Sequence, residues 1–181
     1  MTTYISMLRG INVSGQKKIT MVELKKLYES LGFKNVQTYI QSGNVVCECS
    51  DANVSKLISK IEKKIKESFG FDVLVLIRTK DEFQKLIERT PFSKKDNDKL
   101  HVTFLSNAPT VLSIEEINKV KDKSEEFLIS GKEIYLFCPN GYGKSKLSNN
   151  FFERKLKLSA TTRNWKTVNK LMENSKNIYT L

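Results

Sequence analysis

Apolar positions along this chain switch between a period of two and a period of about three and a half. Residues 4–8 alternate as a strand does and lead into the polar, irregular segment RGINVSGQKKI. Thr20-Met21-Val22-Glu23 has the spacing of a capping box, in which the threonine oxygen and the Glu23 carboxylate satisfy each other's backbone N–H groups. Leu24, Leu27 and Leu31 then share one helical face, and Gly32 closes the helix. Residues 36–41 and Asn44–Cys49 read as strands separated by Ser42-Gly43, a spacing suited to a tight hairpin because glycine tolerates positive φ. From residue 53 to 69, Val54, Leu57, Ile58, Ile61 and Ile65 form a helical stripe that ends at Gly70, and FDVLVLI follows as a buried strand. The order β-α-β-β-α-β is the ferredoxin-like split unit.

The pattern then repeats. Thr79 to Glu82 form a second capping box, opening a helix to Arg89 that Pro91 stops from continuing. SKKDNDK, residues 93–99, is a polar connector. Residues 101–105 predict a strand, and Ser113 caps a helix with Ile114, Ile117 and Val120 inward. Residues 127–129 and 133–137 form a hairpin around Ser130-Gly131-Lys132. A helix over 147–156, a short strand over 157–160 and a closing helix over 165–172, with Val168 and Leu171 inward, complete the chain. The expected class is α+β: two ferredoxin-like halves, each a mainly antiparallel sheet with helices on one face, plus linking and C-terminal helices. The expected boundaries are 1–78, a connector over 79–98, and 99–181.

Composition changes the picture in one respect. An apolar content of 39% supplies a core, but the 181 residues carry a net charge of +11. From Gly131 onward, ten Lys and Arg face three Glu. Such a field favours polyanions or phosphorylated ligands. Three cysteines and one histidine, without a C-x-x-C, make neither a disulfide framework nor a zinc site. No apolar run is long enough for a membrane helix, and the N-terminus lacks a signal-peptide pattern. The expectation is a cytoplasmic protein without metal, cofactor or membrane contact.

Two places carry candidate chemistry. CPNGYGKS, residues 138–145, matches G-x-x-x-x-G-K-[ST] except that Cys138 replaces the first glycine. Only 36 residues follow Ser145, too few for the remaining parallel units of a P-loop fold, so a nucleotide site is not expected. What survives is a glycine turn where Lys144 and Lys146 meet an anion. In the same basic stretch, Arg154, Arg163, Asn164 and Lys166 form a candidate polyanion surface, interleaved with Tyr142, Phe151, Phe152 and Trp165. The second place follows from topology. In a ferredoxin-like sheet the loop after the first strand lies beside the hairpin tip, gathering Arg9, Asn12, Gln16, Lys17, Lys18, Gln41, Ser42 and Asn44. Cations with amide and hydroxyl groups suit an anionic ligand.

The segments RGINV, TYIQSGNV and TRNW with the following TV closely resemble the bacterial family called domain of unknown function 1697, and the similarity spans almost the whole chain. The resemblance implies a pair of ferredoxin-like units and carries no established activity, cofactor or catalytic residue. It marks Arg9, Gly10, Asn12, Thr38, Tyr39, Gln41, Ser42, Gly43 and Asn44, then Thr162, Arg163, Asn164, Trp165 and Thr167. It also implies that Lys144 and Ser145 vary among relatives. The functional expectation is a module that binds a phosphate-bearing ligand or nucleic acid. An enzyme or sensor for a small phosphorylated metabolite, and a protein-interaction adaptor, are the alternatives. No catalytic residue is assigned; His101 with Cys138 is the only conceivable Cys/His couple, and nothing in their separation argues for contact.

Overall fold

A computed structural model describes residues 1–178; residues 179–181, the end of the second predicted half, lie outside the described residues. The first sheet comprises β1 (Thr2–Leu8), β2 (Lys34–Tyr39), β3 (Asn44–Cys49) and β4 (Val75–Thr79), with α1 (Met21–Ser30) and α2 (Val54–Phe69) between strands. After α3 (Lys80–Glu88) the second comprises β5 (Leu100–Leu105), β6 (Glu126–Ser130), β7 (Glu133–Phe137) and β8 (Ala160–Asn164), with α4 (Ile114–Val120) and α5 (Asn149–Leu156). A last helix, α6, runs Trp165–Lys176. The strand orders are β2-β3-β1-β4 and β6-β7-β5-β8, and all these neighbours are antiparallel. This is the ferredoxin-like topology twice, as the sequence predicts. The chain divides into two compact units, Met1–Lys85 with the residues from Lys170 onward, and Leu86–Asn169.

Local chemistry sets most boundaries. Thr20 and Glu23 form the reciprocal cap of α1, and Thr79 and Glu82 repeat it at α3. Asn53 caps α2, which Gly70 ends at φ +80°. Several boundaries differ from the sequence pattern. Ser113 has φ +49° and makes no side-chain cap, so α4 begins with Ile114 39% exposed instead of inward. Ser148 caps α5, and Lys157 ends it in the left-handed region, so the fourth strand starts at Ala160. Tyr39 pairs with Asn44, which makes the first hairpin tip four residues, 40–43, rather than two.

In the first unit one sheet face presents Tyr4, Leu8, Val45, Cys47 and Ile77 to Leu24, Leu27, Leu57, Ile61 and Ile65. A polar pair crosses this core, the Ser6 and Tyr28 hydroxyls at 2.7 Å, and burial raises the Tyr28 phenol far above its usual range. In the second unit Leu105, Ile134 and Leu136 meet Ile117, Phe151, Phe152 and Leu156. The opposite sheet faces are buried too: Ile5, Met7, Val46 and Leu76 in the first, Val102, Phe104 and Tyr135 in the second. Burial on both sides explains why TYISML and VLI, residues 75–77, read as nearly continuous apolar runs, whereas residues 71–74 of the expected strand FDVLVLI precede β4 and leave Leu74 40% exposed. It also means that neither sheet offers an open aromatic face to bases.

Phe152→Ala is expected to lower unfolding stability by about 3–5 kcal/mol, whereas Leu128→Ala, on the half-exposed β6, shifts it by only about 0.5 kcal/mol. Urea denaturation of both variants checks this; equal losses would contradict the assigned core.

Candidate functional site

The segment after β1 is a small hairpin rather than an open loop. Ser14 and Gly15 have φ +50° and +74°, and the Gln16 N–H donates to the Val13 carbonyl at 2.9 Å, which makes a two-residue turn of the I′ kind. The Asn12 N–H donates to the Lys17 carbonyl at 3.2 Å one rung further back. Asn12 and Lys17 are themselves left-handed, at φ +56° and +46°. Asn12 then fastens the finger to the rest of the unit. Its amide nitrogen donates to the carbonyls of Ile19 at 2.8 Å and Gln41 at 2.9 Å, and its oxygen accepts the Ile19 N–H at 2.9 Å.

The β2–β3 tip meets it from the other side. The Leu8 N–H donates to the Gly43 carbonyl at 2.8 Å, and a Cβ on Gly43 would lie 2.8 Å from both Leu8 Cβ and Ile11 Cδ1. Only glycine permits that approach, at φ +79°. Asn44 is fully buried, and its amide donates to the Tyr39 carbonyl and the Ser42 hydroxyl. Ile40 has φ +48°, a strained conformation for a β-branched residue, and remains 47% exposed. Loop and tip do lie together, as the topology predicts. Yet Asn12, Ser42 and Asn44 direct their polar atoms inward to hold the junction, while Lys18 and Gln41 face solvent.

A concave feature lies on the other flank of β1. A cleft of about 370 Å³ is lined by Arg9, Lys17, Glu62, Asp72, Val73 and Leu74. The Arg9 N–H donates to the Leu74 carbonyl at 2.9 Å, and Lys17 Nζ reaches the Asp72 carbonyl at 2.6 Å. The Val75 N–H donates to Glu62 Oε1 at 2.9 Å, which fixes the carboxylate against the start of β4. Asp72 pairs with Lys66 at 2.7 Å, and that hydrogen bond holds its carboxyl below the ordinary range. Glu62, Asp72, Val73 and Leu74 are not among the residues picked from sequence. The signal that finds them is topological: β4 is the second neighbour of β1, so the α2–β4 turn meets the same end of β1 as the hairpin tip.

The second unit treats its candidates differently. CPNGYGKS follows an antiparallel strand, and Tyr142–Lys144 form a 3₁₀ turn whose N–H groups are partly used internally, Lys144 to the Gly141 carbonyl and Ser145 to Tyr142. The helix begins only at Asn149, so the glycines do not present a helix N-terminus to a phosphate. Lys144, Lys146, Arg154 and Lys166 are exposed on separate elements. Arg163 is a correction to the expected anion surface. It sits in β8 only 8% exposed, its Nη1 donating to the Thr161 hydroxyl at 2.8 Å and the Thr162 carbonyl at 2.9 Å. Burial pushes its guanidinium down to about 10, so it is charged at neutral pH and turned away from solvent. Asn164 caps α6 by accepting the Thr167 N–H. Phe151, Phe152 and Trp165 are buried, and Tyr142 stacks on His101 at 4.9 Å, so these aromatics do not form a base-stacking platform. Cys138 lies in the core cluster with its thiol pushed up to about 11 by burial, and burial lowers the His101 imidazole. The couple lacks an activated thiolate.

A family model described as Protein of unknown function (DUF1697) matches residues 1–135. The chain belongs to this family. Among solved structures it is similar to the conserved bacterial protein SP0830 from Streptococcus pneumoniae, with 26% identity over 95% of this chain and 97% of that one and a TM-score of 0.74. No curated protein matches it. The DUF1697 match covers the whole first unit up to Lys85, including the finger, the hairpin tip and the cleft. Among the described residues no helix is long and apolar enough to cross a membrane.

Asn12→Ala removes three hydrogen bonds and places alanine in the left-handed region, for an expected loss of about 2–3 kcal/mol by chemical denaturation. Lys144→Ala is expected to leave any affinity for a fluorescent ATP analogue unchanged. Magnesium-dependent binding abolished by that substitution would restore the P-loop interpretation.

Proposed function

We propose that this protein binds a small phosphate-bearing ligand in the first unit, in the cleft between the β1–α1 finger and the α2–β4 turn. The observation that carries the reading is the lining itself: one guanidinium and one ammonium on a wall whose backbone is braced on both flanks. Arg9 suits planar, multidentate contact with phosphate oxygens, and Lys17 adds a point charge. The cleft's volume lies within the range of small-molecule sites. Preorganisation supports it as well, since a finger already folded by Asn12 loses little conformational freedom when a ligand arrives. We place the protein in the cytoplasm, a location that three free cysteines support.

Nucleic acid is the weaker of the two readings. It rests on charge alone, and the two units share the excess almost equally: sixteen basic against ten acidic residues in the first, fifteen against ten in the second.

Titration calorimetry with phosphate monoesters, and with mixed-sequence single-stranded DNA as the competing ligand, tests this. Monoester binding is expected, weakened at least about tenfold in the Arg9→Ala/Lys17→Ala double variant. Single-stranded DNA binding with a steep salt dependence, alongside no monoester binding, would replace the proposal with the polyanion reading.

A further inference from the structure

We infer that the ligand of this cleft is dipolar, a phosphate monoester that also carries an ammonium group a few bonds away. The inference rests on the proposed phosphate-binding role of the cleft and adds the second half of the ligand. The cleft is not simply basic. The same lining holds two carboxylates, Glu62 from α2 and Asp72 from the turn before β4, together with Val73 and Leu74. The two acids differ in how they are used. Asp72 is committed to Lys66 at 2.7 Å, with its side chain 86% exposed, so water and that lysine already satisfy it. Glu62 is oriented by the Val75 N–H on Oε1, and its other oxygen has no hydrogen-bond partner among the described residues. A carboxylate in the lining of a cleft, held in place through one oxygen, has its second oxygen left to accept from a donor.

Charge decides the class of that donor. A bare phosphate drawn in by Arg9 and Lys17 would be repelled by Glu62 across the same cleft, since like charges at such range oppose each other. A ligand with an anion at one end and an ammonium at the other answers both kinds of charge in the lining. Glu62 then serves as a specificity determinant, weakening the binding of phosphate esters without the donor because its own oxygen would be left desolvated and unpaired. Leu74, 40% exposed in the same lining, offers an apolar surface for the short hydrocarbon bridge between the two charges.

The experiment compares O-phosphoethanolamine with n-propyl phosphate, which puts a methyl in place of the ammonium, by titration calorimetry on the full chain. The amine compound is expected to bind roughly tenfold more tightly. Glu62→Gln keeps an oxygen for the Val75 N–H and removes the charge; it should bring O-phosphoethanolamine to the level of propyl phosphate without weakening the latter. An unchanged urea midpoint establishes that the variant is folded. Equal affinities in the natural protein, or a preference that survives Glu62→Gln, would overturn the dipolar ligand and leave the anion site standing. Binding of neither compound would overturn both.

Discussion

The first unit depends on β1 being central and antiparallel to both neighbours. Its hydrogen bonds run to β3 on one side and β4 on the other, with Leu8 the last residue in register, opposite Val75. One strand end therefore has two adjacent chain reversals, the β2–β3 tip and the α2–β4 turn, and the β1–α1 finger has to pass between them. The backbone bonds from Leu8 to Gly43 and from Arg9 to Leu74 are the direct result. A one-residue slip of β1 would turn Tyr4, Ser6 and Leu8 out of the helix-facing core, so the apolar pattern and the position of Arg9 are set by the same register.

That constraint explains why the residues around the finger look like ligand-binding groups and are mostly something else. Where three segments converge, backbone N–H and carbonyl groups lose water and must find other partners. Asn12 and Asn44 supply them, because an amide side chain donates and accepts at once. Gly43 gives the closest approach, and Gly10, Ser14, Gly15 and Lys17 turn the chain through left-handed conformations. Arg9 and Lys17 differ from the rest in having long side chains that reach into a cleft. A stiff frame with two cations at its margin follows from the same packing demand.

The second unit repeats the topology with other contents. At corresponding register positions next to the central strand, Arg78 and Arg163 are both buried, and Thr79 and Asn164 both cap the helix that follows. The β1–α1 finger has a different counterpart: Ser106 bonds back to Ser159, and the following stretch leaves Val111 and Leu112 exposed. The duplication thus holds in the strands and capped helices, where hydrogen-bond geometry is demanding, and lapses in the loops.

The elements themselves were legible in the sequence. Capping boxes at Thr20 and Thr79 and the stripe from Val54 to Ile65 act through residues three or four apart, and short-range geometry needs no tertiary context. The adjacency of finger and hairpin tip was legible too, once the strand order was inferred. Direction and depth of side chains were not. Arg163 reads as one more surface cation in a basic run, and only the β8 register turns it inward; Ser113 reads as a cap, and only its left-handed backbone removes it. Glu62 and Asp72 lie 53 and 63 positions beyond Arg9 in the sequence, and nothing local distinguishes them from other acids of a charged helix and turn. Composition and periodicity determined the fold class, because they record which atoms must leave water. Pairing β4 beside β1 decided the cleft, because opposite charges distant along the chain become neighbours only when the sheet closes.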